Sequence, residues 1–194
     1  MPSHEVIYLT GPPATGKTTL VTRLTKAFPS VRAFIYSQLL SEHITRKGGR
    51  TFSQESLRQK SGHAVTPEDI LTVDRYLIRE VTKARRTQHV LVDSHPVTKE
   101  GYGFRVTAFS VPFLRSLKPS RICMLFTSSE SVIRRIKRDP RGRPAITPFE
   151  ADFHCFAQMA VAVTYGIQLG LPIYFYDTSA SIETAFKEIA KRIS

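Results

Sequence analysis

The chain has 194 residues, with 28 Lys and Arg against 16 Asp and Glu and a formal net charge of +12. Hydrophobic residues make up 41%, enough for a core, which excludes wholesale disorder, and no apolar run approaches the ~18–20 residues of a membrane span. The opening MPSHEVIYLT lacks the basic flank and apolar stretch of a signal peptide, and Cys123 and Cys155 have no metal-like spacing, so buried thiols and a cytoplasmic, membrane-free setting are expected.

Residues 5–10 (EVIYLT) form a β-branched and aromatic run stopped by Gly-Pro, the pattern of a strand. Residues 17–28 carry Leu20, Val21, Leu24 and Ala27 at helical spacing, and 31–36 is a second apolar run. The polar, basic stretch 37–60 predicts two short helices around the Gly48-Gly49 break. Thr66-Pro67-Glu68-Asp69 is a helix start, and Ile70, Val73, Leu77, Val81 and Ala84 mark one face of the helix that follows. HVLVD (89–93) is a third strand. Residues 94–110 show no periodicity and are expected as a long functional loop.

RICMLF (121–126) is a fourth strand, and 129–138 a basic helix ended by Pro140, Gly142 and Pro144. Thr147-Pro148-Phe149-Glu150 is a capping box. Phe149, Phe153, Phe156, Ala160, Val163 and Ile167 follow at helical spacing and are expected in the core. Gly170 and Pro172 end that helix. A fifth strand over 172–177 and a helix over 181–193 complete the chain. Near-continuous apolar strands alternating with helices predict a three-layer α/β/α fold on a five-stranded parallel sheet, as one domain over 1–194.

Gly11-Pro12-Pro13-Ala14-Thr15-Gly16-Lys17-Thr18 fits the phosphate-binding P-loop pattern, between a strand and a helix as that motif requires. Gly11 and Gly16 permit the backbone angles that turn amides inward, Lys17 reaches β/γ-phosphates, and the Thr18 hydroxyl suits a Mg²⁺ shell. ATP and Mg²⁺ are the expected ligands. The Asn-Lys-x-Asp base-reading segment of GTPases is absent, and an AAA-type or motor ATPase is expected to need a longer chain. Asp93 ends a strand at the sheet edge where such folds bind ligands. It would hold a Mg²⁺-bound water, act as general base, or merely cap a helix.

These features together resemble the nucleoside monophosphate kinases, most closely the archaeal-type adenylate kinases. The resemblance rests on residues 11–19, Tyr36-Ser37, Leu57-Arg58-Gln59-Lys60-Ser61, the strand-three Asp93-Ser94-His95, and Arg134-Arg135-Ile136-Lys137-Arg138-Asp139 with Arg141 and Arg143. It implies that Thr19 joins Gly11–Thr18 in holding ATP. It also implies that Ser37, Arg58, His95 and Tyr102 contact the acceptor in a helical insert over about 37–88 and nearby. Arg134 and Arg138 would be catalytic with Lys17 and Asp93, closing over the transferring phosphoryl, and Arg141 and Arg143 in a short lid over about 138–147 would hold ATP.

Two other readings stay open. One is a kinase for a hydroxyl on a small metabolite or a nucleic-acid 5′ end, with Asp93 as base. The other is an adenylate kinase-like ATPase that assists RNA or ribosome assembly. Residues 105–143 hold ten basic side chains against two acidic ones, a segment suited to RNA or another polyanion.

Overall fold

A computed structural model describes residues 4–48, 65–139 and 145–193 of the chain. Arg58, Arg141 and Arg143 lie outside the described residues. Five strands, β1 (Val6–Thr10), β2 (Val31–Ile35), β3 (His89–Asp93), β6 (Arg121–Phe126) and β7 (Ile173–Asp177), form one parallel sheet in the order β2-β3-β1-β6-β7. The three inner strands are almost wholly buried, as near-continuous apolar sequence requires of a sheet covered on both faces. Side chains alternate between two core layers. Ile7, Leu9, Leu91, Cys123 and Leu125 pack against helices α1 (Lys17–Ala27) and α7 (Glu183–Ile193). Tyr8, Val90, Val92, Ile122 and Met124 face the opposite layer.

That opposite layer contains α2 (Tyr36–Gly48), α3 (Pro67–Ala84), α4 (Val111–Leu117) and α6 (Pro148–Leu169); α5 (Ser129–Lys137) follows β6. The capping box expected at Thr147 forms with Glu150 at the start of α6, and the helix start expected at Thr66 is also closed by a capping box, with Asp69, at the start of α3. Asp69 also joins two helices. Its carboxylate accepts from Lys47 Nζ at 2.8 Å and meets His43 Nε2 at 2.9 Å. Lys47 and the Thr66 bonds hold that carboxyl well below the usual carboxylate range. Tyr36 Oη donates to Asp74 Oδ1 at 2.8 Å, fixing the end of β2 to α3.

Three sequence expectations change. Helix α2 begins directly at the end of β2, and the second of the two short helices expected over 37–60 lies outside the described residues. The long loop expected over 94–110 is an antiparallel hairpin, β4 (Val97–Glu100) with β5 (Gly103–Val106), and α4 comes immediately after it. Four-residue strands and a seven-residue helix are too short to show a period. Their signals are local: Gly103 at φ +137° in the hairpin, and the Ser110 hydroxyl accepting from Phe113 N at 3.3 Å as an N-cap.

The third change concerns α6. Its phenylalanine stripe is on the surface, not in the core: Phe149 is 77% exposed and Phe156 68%. The buried face carries Ala151, His154, Gln158, Ala162, Tyr165 and Gly166. Polar groups are stable there because each finds a partner. His154 Nε2 donates to Val97 O at 2.9 Å, Gln158 bridges Thr10 Oγ1 (2.7 Å) and Val97 N (3.3 Å), and Tyr165 Oη accepts from Phe109 N at 2.7 Å. A helix apolar on one face and small or polar on the other offers two candidate inner faces, and hydrophobicity alone picks the wrong one. Small residues allow α6 to approach the sheet closely. A Cβ on Gly166 would lie 2.4 Å from Ile173 Cδ1.

Candidate active site

The sheet order reverses direction at β1, so the crevice beyond the carboxyl ends of β1 and β3 is where this topology accepts ligands. The P-loop fills that position. Its conformation needs glycine where sequence supplies it: Gly11 has φ +146°, and a Cβ there would meet the Leu125 carbonyl oxygen at 2.4 Å. Gly16, at φ +89°, is the N-cap of α1. Ala14 takes a left-handed φ of 64°, a strained value for a residue with a side chain.

The outer side of the loop explains how Ala14 is held. Arg135 on α5 donates from Nη1 to Ala14 O at 2.9 Å and from Nη2 to Thr178 O. Thr178, just after β7, donates from Oγ1 to Thr15 O at 2.9 Å. In a trans peptide the carbonyl and the next amide point in opposite directions. Drawing the Ala14 and Thr15 carbonyls outward therefore turns the Thr15 and Gly16 amides inward, toward the space a phosphate takes. Thr15 Oγ1 donates to Pro12 O at 2.9 Å and closes the turn from within.

Lys17 is buried, and its ammonium donates to the Gly11 and Pro12 carbonyls. Asp93 stands opposite Leu9 in the β1–β3 register, one strand from the loop. It is buried, and among the described residues its Oδ1 has no hydrogen-bond partner. Burial pushes its pKa up, and the Lys17 ammonium opposes that shift. A buried carboxylate oxygen with an open lone pair asks for a cation or a proton donor. Thr18 offers an exposed hydroxyl at the first turn of α1. These hard oxygen donors fit Mg²⁺. Thr19 is also exposed there, and Pro13 is half-buried in the loop.

A cavity of about 610 Å³ lies over the ends of β2 and β3, lined just past Asp93 by Ser94, His95 and Pro96. Ser37 and His95, two residues assigned from sequence to the acceptor, both line it. Its walls are mostly apolar, with Tyr36, Leu40, Ile70, Leu71 and Phe109, while Thr98, Arg105 and Thr107 come from the hairpin side. Tyr102 is not among the lining residues; it sits at the hairpin tip, 78% exposed. Arg105 was missed as a site residue. It is half-buried, and its Nη2 meets Glu100 Oε1 at 2.9 Å. The available signal was a lone arginine a dozen residues after the strand-three Asp93.

Among the arginines of α5, the one that reaches the loop is Arg135, which the sequence reading left without a role. Arg134 is exposed and bonds Ser131 Oγ at 2.9 Å, and Arg138 is the exposed C-cap of α5. Among the described residues of the basic segment 105–143, several arginines are engaged within the chain. Arg115 donates to Gln168 O, Arg121 pairs with Glu5 at 2.6 Å, Arg105 pairs with Glu100, and Arg135 is on the loop. No helix among the described residues is long and apolar enough to cross a membrane.

Solved structures share this fold across nearly the whole chain. A tunicamycin resistance protein from Deinococcus radiodurans matches at TM-score 0.59 and 16% identity, covering 98% of this chain and 96% of that one. A sugar kinase from Janibacter sp. HTCC2649 matches at 0.57 and 14%, covering 97% and 93%. A shikimate kinase from Acinetobacter baumannii, solved with shikimate, matches at 0.54 and 20%, covering 98% and 93%. At these identities the likeness establishes the three-layer P-loop kinase fold. A family model described as an AAA domain matches residues 10–150. Chain length, expected to argue against an AAA-type protein, does not exclude that family. The matched span includes both the P-loop and Asp93, and the chain belongs to the P-loop family that this AAA domain model describes.

Proposed function

We propose that the protein transfers the γ-phosphoryl of ATP to a nucleoside monophosphate. The observation that carries this reading is the cavity. It opens at the carboxyl end of β3, the strand paired with the one that leads into the P-loop, is walled by flat and apolar side chains, and has polar residues, Arg105, His95, Ser37 and Thr98, among them. A nucleobase suits the apolar wall and a phosphate suits the polar groups.

The acceptor phosphate is already an anion at neutral pH, so no base is needed and the work is positioning and charge neutralisation. The Thr15 and Gly16 amides and Lys17 hold the donor phosphates. Thr18, and Asp93 through a water, would hold Mg²⁺, which would offset charge on the phosphate oxygens. Ser37, His95 and Arg105 hold the acceptor. Lid arginines, Arg134 and Arg138 among them, would close over the phosphoryl; such groups are worth roughly 10³–10⁵ in rate.

A hydroxyl acceptor is the second reading, supported by the unpartnered Asp93 Oδ1, which is placed to take a proton. Equilibrium titration separates the two. With a non-hydrolysable ATP analogue bound, a nucleoside monophosphate should bind, and its parent nucleoside should bind at least about tenfold more weakly because the phosphate contacts are lost. Equal affinity for both would remove the monophosphate reading.

A further inference from the structure

Six residues of α6 form an outward seam: Phe149, Phe153, Phe156, Ala160, Val163 and Ile167, all exposed. Their spacing alternates four and three residues throughout. That is the 3.5-residue repeat of a helix that packs lengthwise on another helix. The inner face of α6 already meets its own core through Ala151, His154, Gln158, Ala162 and Tyr165. Among the described residues Phe104 packs on Phe153 of the heptad seam, yet all six seam residues remain exposed, although this is the more hydrophobic of the two faces.

From this seam we infer that α6 is a self-association surface, and that two copies of the chain pair through it antiparallel about a twofold axis near residue 158. Three features select a second copy. First, the seam is divided by size, with phenylalanines at 149, 153 and 156 and smaller residues at 160, 163 and 167. An antiparallel twofold sets Phe149 against Ile167, Phe153 against Val163 and Phe156 against Ala160 of the other copy. Every pair is then large against smaller, whereas a parallel pairing sets phenylalanines together at one end and leaves a gap at Ala160.

Second, the 22-residue helix contains no Lys or Arg, in a chain of net charge +12. The helix itself adds no positive charge to such a contact; the basic side chains that border it include Lys99, paired with Glu150, and Arg115, which donates to Gln168 O. The same lack of basic residues disfavours an anionic lipid surface, which takes amphipathic helices with a Lys/Arg-rich polar face. Third, the area suffices. The six side chains expose on the order of 600 Å² per copy, given ~200 Å² for a fully exposed phenylalanine. Full burial of both seams would remove up to roughly 1,200 Å², which reaches the ~1,000 Å² expected of a specific interface. The patch continues toward the hairpin, where Phe104 packs on Phe153 with ring centroids 4.9 Å apart.

Sedimentation of the full chain between about 1 and 100 μM tests this inference independently of any catalytic assay. The expected species has twice the 21.9 kDa chain mass. Phe156→Asp should weaken the dimer roughly 30-fold or more, as a central apolar contact does, with an unchanged monomer circular dichroism melt because the site is exposed. Phe149→Glu and Ile167→Lys should each dissociate it alone, and an equimolar mixture should restore the dimer, because only the antiparallel register sets 149 against 167. A monomer at 100 μM, a dimer indifferent to Phe156→Asp, failure of the mixture to recover, or a monomer that instead binds vesicles of neutral or anionic lipid would each overturn the inference.

Discussion

Arg135→Ala tests how the P-loop is shaped. The guanidinium makes two charge-assisted bonds, to Ala14 O at 2.9 Å and to Thr178 O, and it holds a non-glycine residue at φ 64°. Hydrogen bonds from a charged donor contribute ~1.5–3 kcal/mol each. Arg135 is half-buried, so solvent replaces part of that, and a total of ~1.5–3 kcal/mol is the working magnitude. If that energy orients the loop, nucleotide affinity falls about 10- to 150-fold, since ~1.4 kcal/mol is a factor of ten. Titration with a fluorescent ATP analogue measures this, and titration with inorganic tripolyphosphate locates the cause. A loop effect weakens both ligands equally, whereas direct contact with the nucleoside weakens only ATP. Thr178→Val removes the neighbouring bond to Thr15 O, so the double variant should lose less than the sum of the singles. ATP binding by Arg135→Ala within twofold of wild type, with an unchanged melting temperature, would refute the reasoning.

Other outcomes follow from the same geometry. Gly11→Ala should lose nucleotide binding and cost about 1–3 kcal/mol of stability, because its Cβ would press on the Leu125 carbonyl at 2.4 Å; a thermal melt and a binding isotherm check both. Lys17→Ala should remove most phosphoryl transfer with the fold kept, which a far-UV spectrum and a turnover assay decide together. Asp93→Asn should raise the melting temperature near pH 7 while lowering activity. The folded pKa of Asp93 lies above its ordinary 3.8, so the stability it contributes is full below 3.8 and is lost as pH rises through the folded value. The advantage of the Asn variant should therefore shrink toward pH 4, and a gain that grows on acidification would contradict the burial argument. Gln158→Leu leaves the Val97 amide without its partner beside a buried Thr10 hydroxyl, and should cost about 1–3 kcal/mol by denaturant titration.

The parts of this molecule that read well from sequence have strong local causes. Continuous apolar runs marked all five strands of the parallel sheet, Thr66 and Thr147 marked two helix starts, and the glycine pattern of 11–18 marked the loop. What did not read well depends on partners far away in the chain. The α6 faces could not be ranked, because the inner one is justified by bonds from His154, Gln158 and Tyr165 to Val97, Thr10 and Phe109, some 56 to 148 residues distant. Arg135 differs from Arg134 only in which side of one turn it occupies, and its partner is 121 residues away. Ser37 and His95 enter through the family resemblance, and each stands two residues past the end of a strand, β2 or β3, where it lines the cavity. Arg105 comes from a hairpin whose strands are too short to announce themselves.

The proposed reaction makes the loop and the cavity at the ends of β2 and β3 two halves of one transfer site. The direct measurement is the destination of label from γ-labelled ATP and Mg²⁺, with all common nucleoside monophosphates, a 5′-hydroxyl oligonucleotide, shikimate and water present together. Label should appear on a nucleoside diphosphate and be lost in Lys17→Ala. Label appearing only on a hydroxyl acceptor, or only as free phosphate, would contradict the proposed reaction.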